Sequence, residues 1–299
     1  MWVFKAKQRR FKIGKIEVGG VPGERPVTLI GSLFFRGHRI VKDEVKGEFD
    51  KAKAEKLVNI QDEFSEKTGN PCMIDVVGST PEAMVRFLDF VADVSDAPML
   101  LDGVSASVRV ESLKYVKEVG LSSRIVYNTI VPEYKPEEIE AIRESGVEAV
   151  VFLAYYMRDF TARGRVKISR EIIPKLLEAG IEKILIDTCV LDIPTLGSAC
   201  KAIFELKNEL GYPVGCGAHN AIGTWRGLKT KMGRQAKRPS VAAASVLPAS
   251  VGADFILYGP IEAARYVFPA VAMVDAAYAQ LLMEAGRRPP PGHPIFRIA

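Results

Sequence analysis

Short apolar runs recur along this chain, and most of them stop at an acidic or amide residue. Met73-Ile74 leads to Asp75, Met99-Leu100-Leu101 to Asp102, Ile125-Val126-Tyr127 to Asn128, and Ile184-Leu185-Ile186 to Asp187. Val214 leads into Gly215-Cys216-Gly217-Ala218-His219-Asn220. Apolar runs of this length suit strands buried inside a parallel sheet. A carboxylate directly after such a strand is costly to desolvate unless a partner waits there. The chain therefore needs a fold that explains why polar residues gather where strands end.

Helix signals fill the gaps between these runs. Asp50 is a plausible N-cap for a helix to Lys67, Thr80-Pro81-Glu82 opens a second, and Lys135-Pro136-Glu137 opens one that ends at Ser145-Gly146. Further helices are expected over Ser107–Glu118, Ser169–Ala179, Thr195–Leu210, Ser240–Ser250 and Glu262–Ala285. Strands are expected over Val27–Phe35, Cys72–Val77, Pro98–Asp102, Arg124–Ile130, Ala149–Tyr156, Lys183–Leu191, Val214–Cys216 and Asp254–Tyr258. Repeated βα units imply parallel strands and right-handed crossovers. Eight of them predict an α/β fold, a closed (β/α)8 TIM barrel over residues 24–286. The rival is a doubly wound open sheet, which would bring a glycine-rich phosphate loop after its first strand. Gly31-Ser32-Leu33-Phe34 is no such loop. Trp2–Glu17 alternates apolar and polar residues around Gly14-Lys15, which predicts an N-terminal β-hairpin. With the linker Gly19–Gly23 it forms residues 1–23, and a Pro-rich tail, 287–299, is expected to be extended.

Composition narrows the classes. With 299 residues, 48% of them hydrophobic, the chain has ample material for a core. A net charge of +5 permits an anionic ligand or acidic partner, but no nucleic-acid motif accompanies it. Cys72, Cys189, Cys200 and Cys216 are spread out, as reduced thiols in a cytoplasmic protein would be. No apolar run approaches the length of a membrane span, and Met1–Arg10 is too basic and mixed for a signal peptide. The expectation is a soluble chain with no membrane span of its own, at most peripheral to a membrane through a complex.

In such barrels the active site lies at the C-terminal ends of the strands. Asp75, Asp102, Asn128, Asp187 and Asn220 are then expected to converge on one mouth. Any one of them could instead cap a helix or tie down a loop. Five in one mouth make a purely structural reading harder to hold. Carboxylates accept hydrogen bonds, and carboxamides both donate and accept. Such a ring suits a flat, neutral heterocycle with N–H donors on one edge and a carbonyl beside them. A pterin has that edge, and its 2-amino and ring N–H can both donate to one carboxylate.

Other features compete for attention. Cys216 and His219, with Cys189, could ligate zinc, but small thiols in a barrel and one loop histidine explain them as well, and no metal is expected. Arg226, Lys229, Lys231, Arg234, Lys237 and Arg238 lie after the seventh strand, either as solvated surface or as an attractor for an anionic tail or partner. The expected loop Met157–Lys167 adds Arg158, Arg163 and Arg165 on the same face. Arg36 and His38 follow the first strand and either line the mouth or hold structure, while His293 in the tail carries no signal.

The segments Gly31-Ser32, Gly69-Asn70-Pro71, Asp75-Val76-Val77-Gly78, Thr80-Pro81-Glu82-Ala83-Met84, Asp187-Thr188 and Gly215–Ala221 carry a family resemblance. Over nearly its whole length the chain resembles the H subunit of tetrahydromethanopterin S-methyltransferase. That family is similar in turn to pterin-binding methyltransferases and to dihydropteroate synthase, all (β/α)8 barrels. The resemblance implies transfer of the N5 methyl of a tetrahydropterin to the cobalt of a corrinoid carried by a different protein. It implies no tightly bound cofactor on this chain, and it suggests a homodimer. It also implies that Asp102, Asn128 and Asp187 hold the pterin, with Asp187 on the 2-amino and N3–H edge. Asn220 matches the asparagine that reaches N5, and Asp75 is a weaker member of the set. Three alternatives stay open. A dihydropteroate synthase would need a lysine after strand seven, where this chain has Asn220. A soluble relative would exchange methyl groups between tetrahydrofolate and corrinoid proteins. A docking protein would bind a corrinoid protein without chemistry of its own.

Overall fold

The computed structural model describes residues 3–298. Eight parallel strands close into a barrel: β1 (Thr28–Leu33), β2 (Cys72–Gly78), β3 (Met99–Gly103), β4 (Ile125–Ile130), β5 (Ala149–Leu153), β6 (Lys183–Asp187), β7 (Val214–Cys216) and β8 (Phe255–Pro260), with β8 paired to β1. The barrel helices are α1 (Lys51–Thr68), α2 (Pro81–Val94), α3 (Ala106–Glu118), α4 (Pro136–Ser145), α5 (Ala162–Glu178), α6 (Ile193–Leu210), α7 (Lys237–Ser250) and α8 (Ala264–Glu284). The (β/α)8 barrel read from the sequence is the fold observed.

Local chemistry explains the boundaries. Asp50 accepts from the Lys53 amide at 3.2 Å and Thr80 from the Ala83 amide at 3.1 Å, so α1 and α2 begin where the cap pattern puts them. Asp192 and Thr195 close a capping box at the start of α6. The start of α5 departs from expectation. Thr161 caps it by accepting from the Gly164 amide at 3.3 Å, so the helix starts at Ala162 rather than Ser169. A side chain at Gly164 would come within 2.0 Å of the Asp159 carbonyl oxygen, so only glycine fits this turn. Arg163 and Arg165 are consequently helical, and Arg165 is buried.

Inside the barrel, Ile30, Met73, Leu100, Val126, Val151, Leu185 and Phe255 form one apolar cluster. Ile13 and Val18 of the hairpin, Arg10–Ile13 paired with Ile16–Gly19, join that cluster. The Gly14 amide donates to the Ser123 carbonyl, and Lys183 Nζ to the Lys12 carbonyl, both at 3.0 Å. The hairpin thus plugs the N-terminal end of the barrel and leaves the other end open. Trp2, at the expected start of the hairpin, lies outside the described residues. A second small ribbon, Val41–Asp43 with Glu48–Phe49, folds within the β1–α1 connection.

Two expectations are corrected at the C-terminal end. The tail is not simply extended. It makes a 3-10 turn over Pro294–Phe296, and His293 is buried with Nδ1 accepting from the Ile295 amide. The segment Ile261–Glu284 is long and apolar enough to cross a membrane by length and composition, contrary to the sequence reading. Here it forms the last helical layer, with Val267, Phe268, Val271 and Ala272 in the core and Asp275 buried among them.

Candidate functional site at the barrel mouth

Register sets the height of each strand-end residue. Ser32 of β1 pairs with Asp75 of β2, Val77 with Asp102 of β3, and Asp102 with Asn128 of β4. The result is a cavity of about 810 Å³ lined by Asp75, Asp102, Asn128, Asp187 and Asn220 together. Ser32, Gly217, His219 and Glu262 line the same space.

The three aspartates differ in what surrounds them. Asp75 accepts from Ser32 Oγ at 2.7 Å and from Asn128 Nδ2 at 3.4 Å. Burial pushes its carboxyl up to about 6, and those two donors pull against the shift. Asp187 accepts from the Cys189 amide at 2.7 Å, and burial raises it to about 6 while the Cys189 and Gly217 amides oppose the rise. Cys189 has φ +56°, a left-handed conformation that turns the chain sharply just after Asp187. Asp102 has no hydrogen-bond donor among the described residues. Burial first, and then the charge of Asp75, push it well above the ordinary range, with Arg109 offsetting part of the rise.

Arginines hold the turns from behind. Arg165 donates to the carbonyls of Phe160, Thr188 and Cys189, which locks the turn that presents Asp187. Sequence reasoning placed it in a loop on the mouth face; it is instead 2% exposed and faces inward. Arg109 donates to the Gly103 carbonyl at 2.8 Å and to Glu138 at 3.1 Å, and Tyr127 also donates to Glu138. That network stands next to Asp102 and Asn128 in the chain and steadies both strand ends.

The rim is set by β1, β7 and β8. His38 Nδ1 accepts from the Phe34 amide at 3.1 Å, so Nε2 carries the proton and donates to Glu262 at 3.1 Å. Phe35 stacks on the His38 ring with centroids 4.4 Å apart. His38 therefore both lines the mouth and holds the loop. His219 Nδ1 lies 3.1 Å from the Leu257 carbonyl, and burial lowers its pKa, so it is held neutral. Asn220 is exposed at the lip; its backbone amide bonds Gly217, while its side chain has no partner among the described residues. Arg36, Arg226, Lys229, Lys231, Arg234, Lys237 and Arg238 are exposed or half-buried, and of these Lys237 lines the cavity, as does Arg39.

The thiols do not gather as ligands. Burial pushes Cys189 up to about 12 and Cys216 well above its ordinary value, so both are protonated thiols. Among the described residues, no three His, Cys, Asp or Glu side chains are grouped to hold a metal ion. Sequence reasoning missed Ser32 and Glu262 as cavity residues. Ser32 is betrayed only by its register with Asp75, which a linear sequence does not display.

Residues 6–289 match the family described as the tetrahydromethanopterin S-methyltransferase MtrH subunit. The chain belongs to this family. It is 36% identical to the H subunit of tetrahydromethanopterin S-methyltransferase from Methanothermobacter thermautotrophicus, with 100% of both chains covered. It is 38% identical to the corresponding protein of Methanopyrus kandleri, over 97% of each chain. It is also 38% identical to the H subunit of the putative methyltransferase mtx from Methanosarcina acetivorans, over 99% of each. As a member of this family, the chain is a methyltransferase subunit. Among solved structures, Yersinia pestis dihydropteroate synthase superposes with a TM-score of 0.59 at 18% identity, covering 90% of this chain and 98% of that one. The same enzyme from Xanthomonas albilineans, in complex with 7,8-dihydropteroate, gives 0.54 at 18%, over 86% and 94%. At such identity these structures speak to the barrel fold alone.

Proposed function

We propose that this chain binds the pterin of methyl-tetrahydromethanopterin in the barrel mouth and releases its N5 methyl to the cobalt of a corrinoid carried by a separate protein. The observation that carries the reading is the ring of Asp75, Asp102, Asn128, Asp187 and Asn220 around one cavity. Asp187, held by two backbone amides, keeps acceptor capacity for the N3–H and 2-amino pair. Asn128 serves the neighbouring ring atoms, and Asp75 fixes Asn128 from behind. The corrinoid supplies the methyl acceptor; the chain's own work is to bind, orient and ease departure from N5.

A tertiary amine gives up its methyl poorly, because the nitrogen would leave as an amide-like anion. Protonation or hydrogen bonding at N5 removes that obstacle. Asn220 stands at the lip with its carboxamide unengaged by the described residues; in this reading it donates a hydrogen bond to N5, and water or an aspartate of the mouth supplies the proton that N5 keeps as the methyl leaves. Acid assistance of this kind is worth ~10²–10⁴-fold.

Calorimetric titration with methyl-tetrahydromethanopterin and with methyl-tetrahydrofolate, repeated on Asp187→Ala, tests the reading. Binding of the first pterin that the substitution weakens by roughly tenfold or more supports it. Preference for the folate transfers the same chemistry to a folate carrier. No pterin binding, with corrinoid-protein binding retained, replaces the reading with a docking role.

A further inference from the structure

We propose that the cavity is a site of two parts, and that its second part binds the substituent carried on C6 of the pterin: an aryl ring packs against Phe35, Ile222, Val241 and Tyr266, and an anionic chain beyond it meets Arg39 and Lys237. This rests on the pterin reading above and extends it to the half of the cavity that reading does not use.

The lining changes character around the barrel. The strands are ordered β6, β7, β8, β1, β2, β3, β4, β5. Asp75, Asp102, Asn128 and Asp187 come from β2, β3, β4 and β6. The segments that follow β7, β8 and β1 supply a different chemistry. Val241 is buried there, and Phe35, Ile222 and Tyr266 are half-buried, so together they form an apolar wall. Arg39 and Lys237 are exposed where this part of the cavity opens. Lys237 acts on Glu262 through its charge but forms no ion pair among the described residues, and Arg39 forms none either. Lys237 also begins α7, whose N-terminus carries no side-chain cap, so its free amides and the positive end of the helix dipole add to the two cations. Glu262 is the acid on this side. Burial acts to raise it, but the bond from His38 and the charge of Lys237 outweigh burial and leave it below its ordinary value, hence ionised. The protein already satisfies Glu262 through His38, whereas the two cations still lack an anion.

Size and connectivity point the same way. A cavity of about 810 Å³ lies near the upper end of the ~300–1,000 Å³ that encloses a drug-sized ligand, and a bicyclic heterocycle fills only part of it. In a pterin the N3–H and 2-amino edge lies at one end, while N5 and C6 are adjacent at the other. With the first edge on Asp187 and N5 at Asn220, a substituent on C6 leaves beside Asn220 and passes Ile222 and Val241. An aryl ring gains from burial against such a wall. A phosphate or carboxylate further along the chain finds its cations where the cavity opens. Binding energy gathered there, away from the reacting nitrogen, holds N5 in place for methyl departure.

A ladder of three ligands tests this by calorimetric titration of the full chain and of the Arg39→Ala/Lys237→Ala double variant, both of whose sites are exposed. The ligands are methylated tetrahydropterins bearing at C6 a bare methyl group, an anilinomethyl group, or the whole chain of methyl-tetrahydromethanopterin. Adding the aryl ring should tighten binding roughly tenfold in both proteins. Adding the anionic chain should tighten it a further three- to tenfold or so in the parent and less than about twofold in the variant. Raising the salt concentration should weaken only the third ligand. Equal affinity of the parent for all three ligands overturns the inference, and so does an anionic step that survives in the double variant. Methyl-tetrahydrofolate, whose chain carries carboxylates and no phosphate, identifies the anion. A loss of the same size on it assigns the cations to carboxylate, and a loss confined to the methanopterin assigns them to phosphate; either result upholds the inference. If the parent binds none of the ligands, the proposed function fails and this inference with it. If all bind without the contrast between the two proteins, only the inference fails.

Discussion

Asp254 and Asp187 are both strand-end aspartates, both buried, and they sit at opposite ends of the barrel. Asp254 precedes β8 at the plugged end, where Lys207 Nζ reaches both of its oxygens at 2.7 and 2.6 Å and the Val214 amide adds a third donor. Lys207 is fully buried and also donates to the Gly20 carbonyl at 3.0 Å. Asp187 closes β6 at the open end and meets backbone amides but no cation within bonding distance among the described residues. Residue type and burial are the same; what differs is whether the protein itself supplies the countercharge. A buried carboxylate that already has its ammonium is part of the scaffold. One left with acceptor capacity facing a cavity is stabilised fully only when a ligand brings donors.

The largest effect should come from breaking the scaffold pair. Lys207→Met leaves Asp254 buried without its cation, which costs about 3–5 kcal/mol of folding stability. Urea denaturation measures it, and the fraction that remains folded should bind pterin as before. A loss of less than about 1 kcal/mol would place this pair with weak surface ion pairs and blur the contrast between the two ends.

Asp187→Asn should do the opposite. The folded carboxyl titrates at about 6 against an ordinary 3.8, so the folded state binds more protons than the unfolded one between those values. Stability therefore falls as pH rises through that window and stays lower above it. Removing the charge should raise stability at pH 7 by on the order of 1–3 kcal/mol and flatten this part of the profile, while pterin affinity drops. Thermal melts of both proteins between pH 4 and pH 7 check the sign. A destabilised Asp187→Asn would mean that the protein, not a ligand, satisfies this group, and the comparison would break.

Most of the architecture is legible in the sequence because it is periodic. Eight apolar runs with helix caps between them specify a barrel without knowledge of any contact, and the alternation around Gly14 specifies the hairpin. The convergence of Asp75, Asp102, Asn128, Asp187 and Asn220 follows from the fold, since strand ends in a barrel share one mouth. What stays hidden depends on pairs distant in sequence. The segment Thr161-Ala162-Arg163-Gly164-Arg165 looks like a basic loop until the carbonyls of Thr188 and Cys189 are available to bury Arg165. Lys207 and Asp254 are separated by 47 residues, and nothing local marks either as half of an ion pair. The apolar stretch in α8 reads only as a helix, because its Arg265 and Asp275 interrupt any continuous run; length and mean hydropathy alone would admit a span.

Arg165 offers an intermediate effect, because it belongs to the scaffold yet supports the mouth. It touches no cavity surface, yet it holds the carbonyls on either side of the turn that aims the Cys189 amide at Asp187. Arg165→Met should leave those carbonyls short of donors and lower stability by about 1–3 kcal/mol. It should also weaken pterin binding severalfold, by loosening the amide that orients Asp187. Unchanged affinity in a destabilised variant would show that the turn keeps its shape without the arginine.

The smallest effect belongs to Ser32. Its hydroxyl donates to Asp75 Oδ2 at 2.7 Å, and Asn128 Nδ2 is the other donor to that carboxylate. Ser32→Ala removes one hydrogen bond, and a bond of this kind contributes about 0.5–1.5 kcal/mol. The loss falls on the ionised form of Asp75, so its carboxyl should titrate higher than the present value of about 6. Because Asp75 and Asp102 interact, weakening the charge on Asp75 lets Asp102 ionise more readily. The variant should therefore change pterin affinity most near pH 6, where the charge on Asp75 differs between the two proteins, and little at alkaline pH, where Asp75 is ionised in both, a difference that titrations at two pH values resolve. An equal loss at both would mean that Ser32 acts through packing alone and that the carboxylates at the mouth titrate independently.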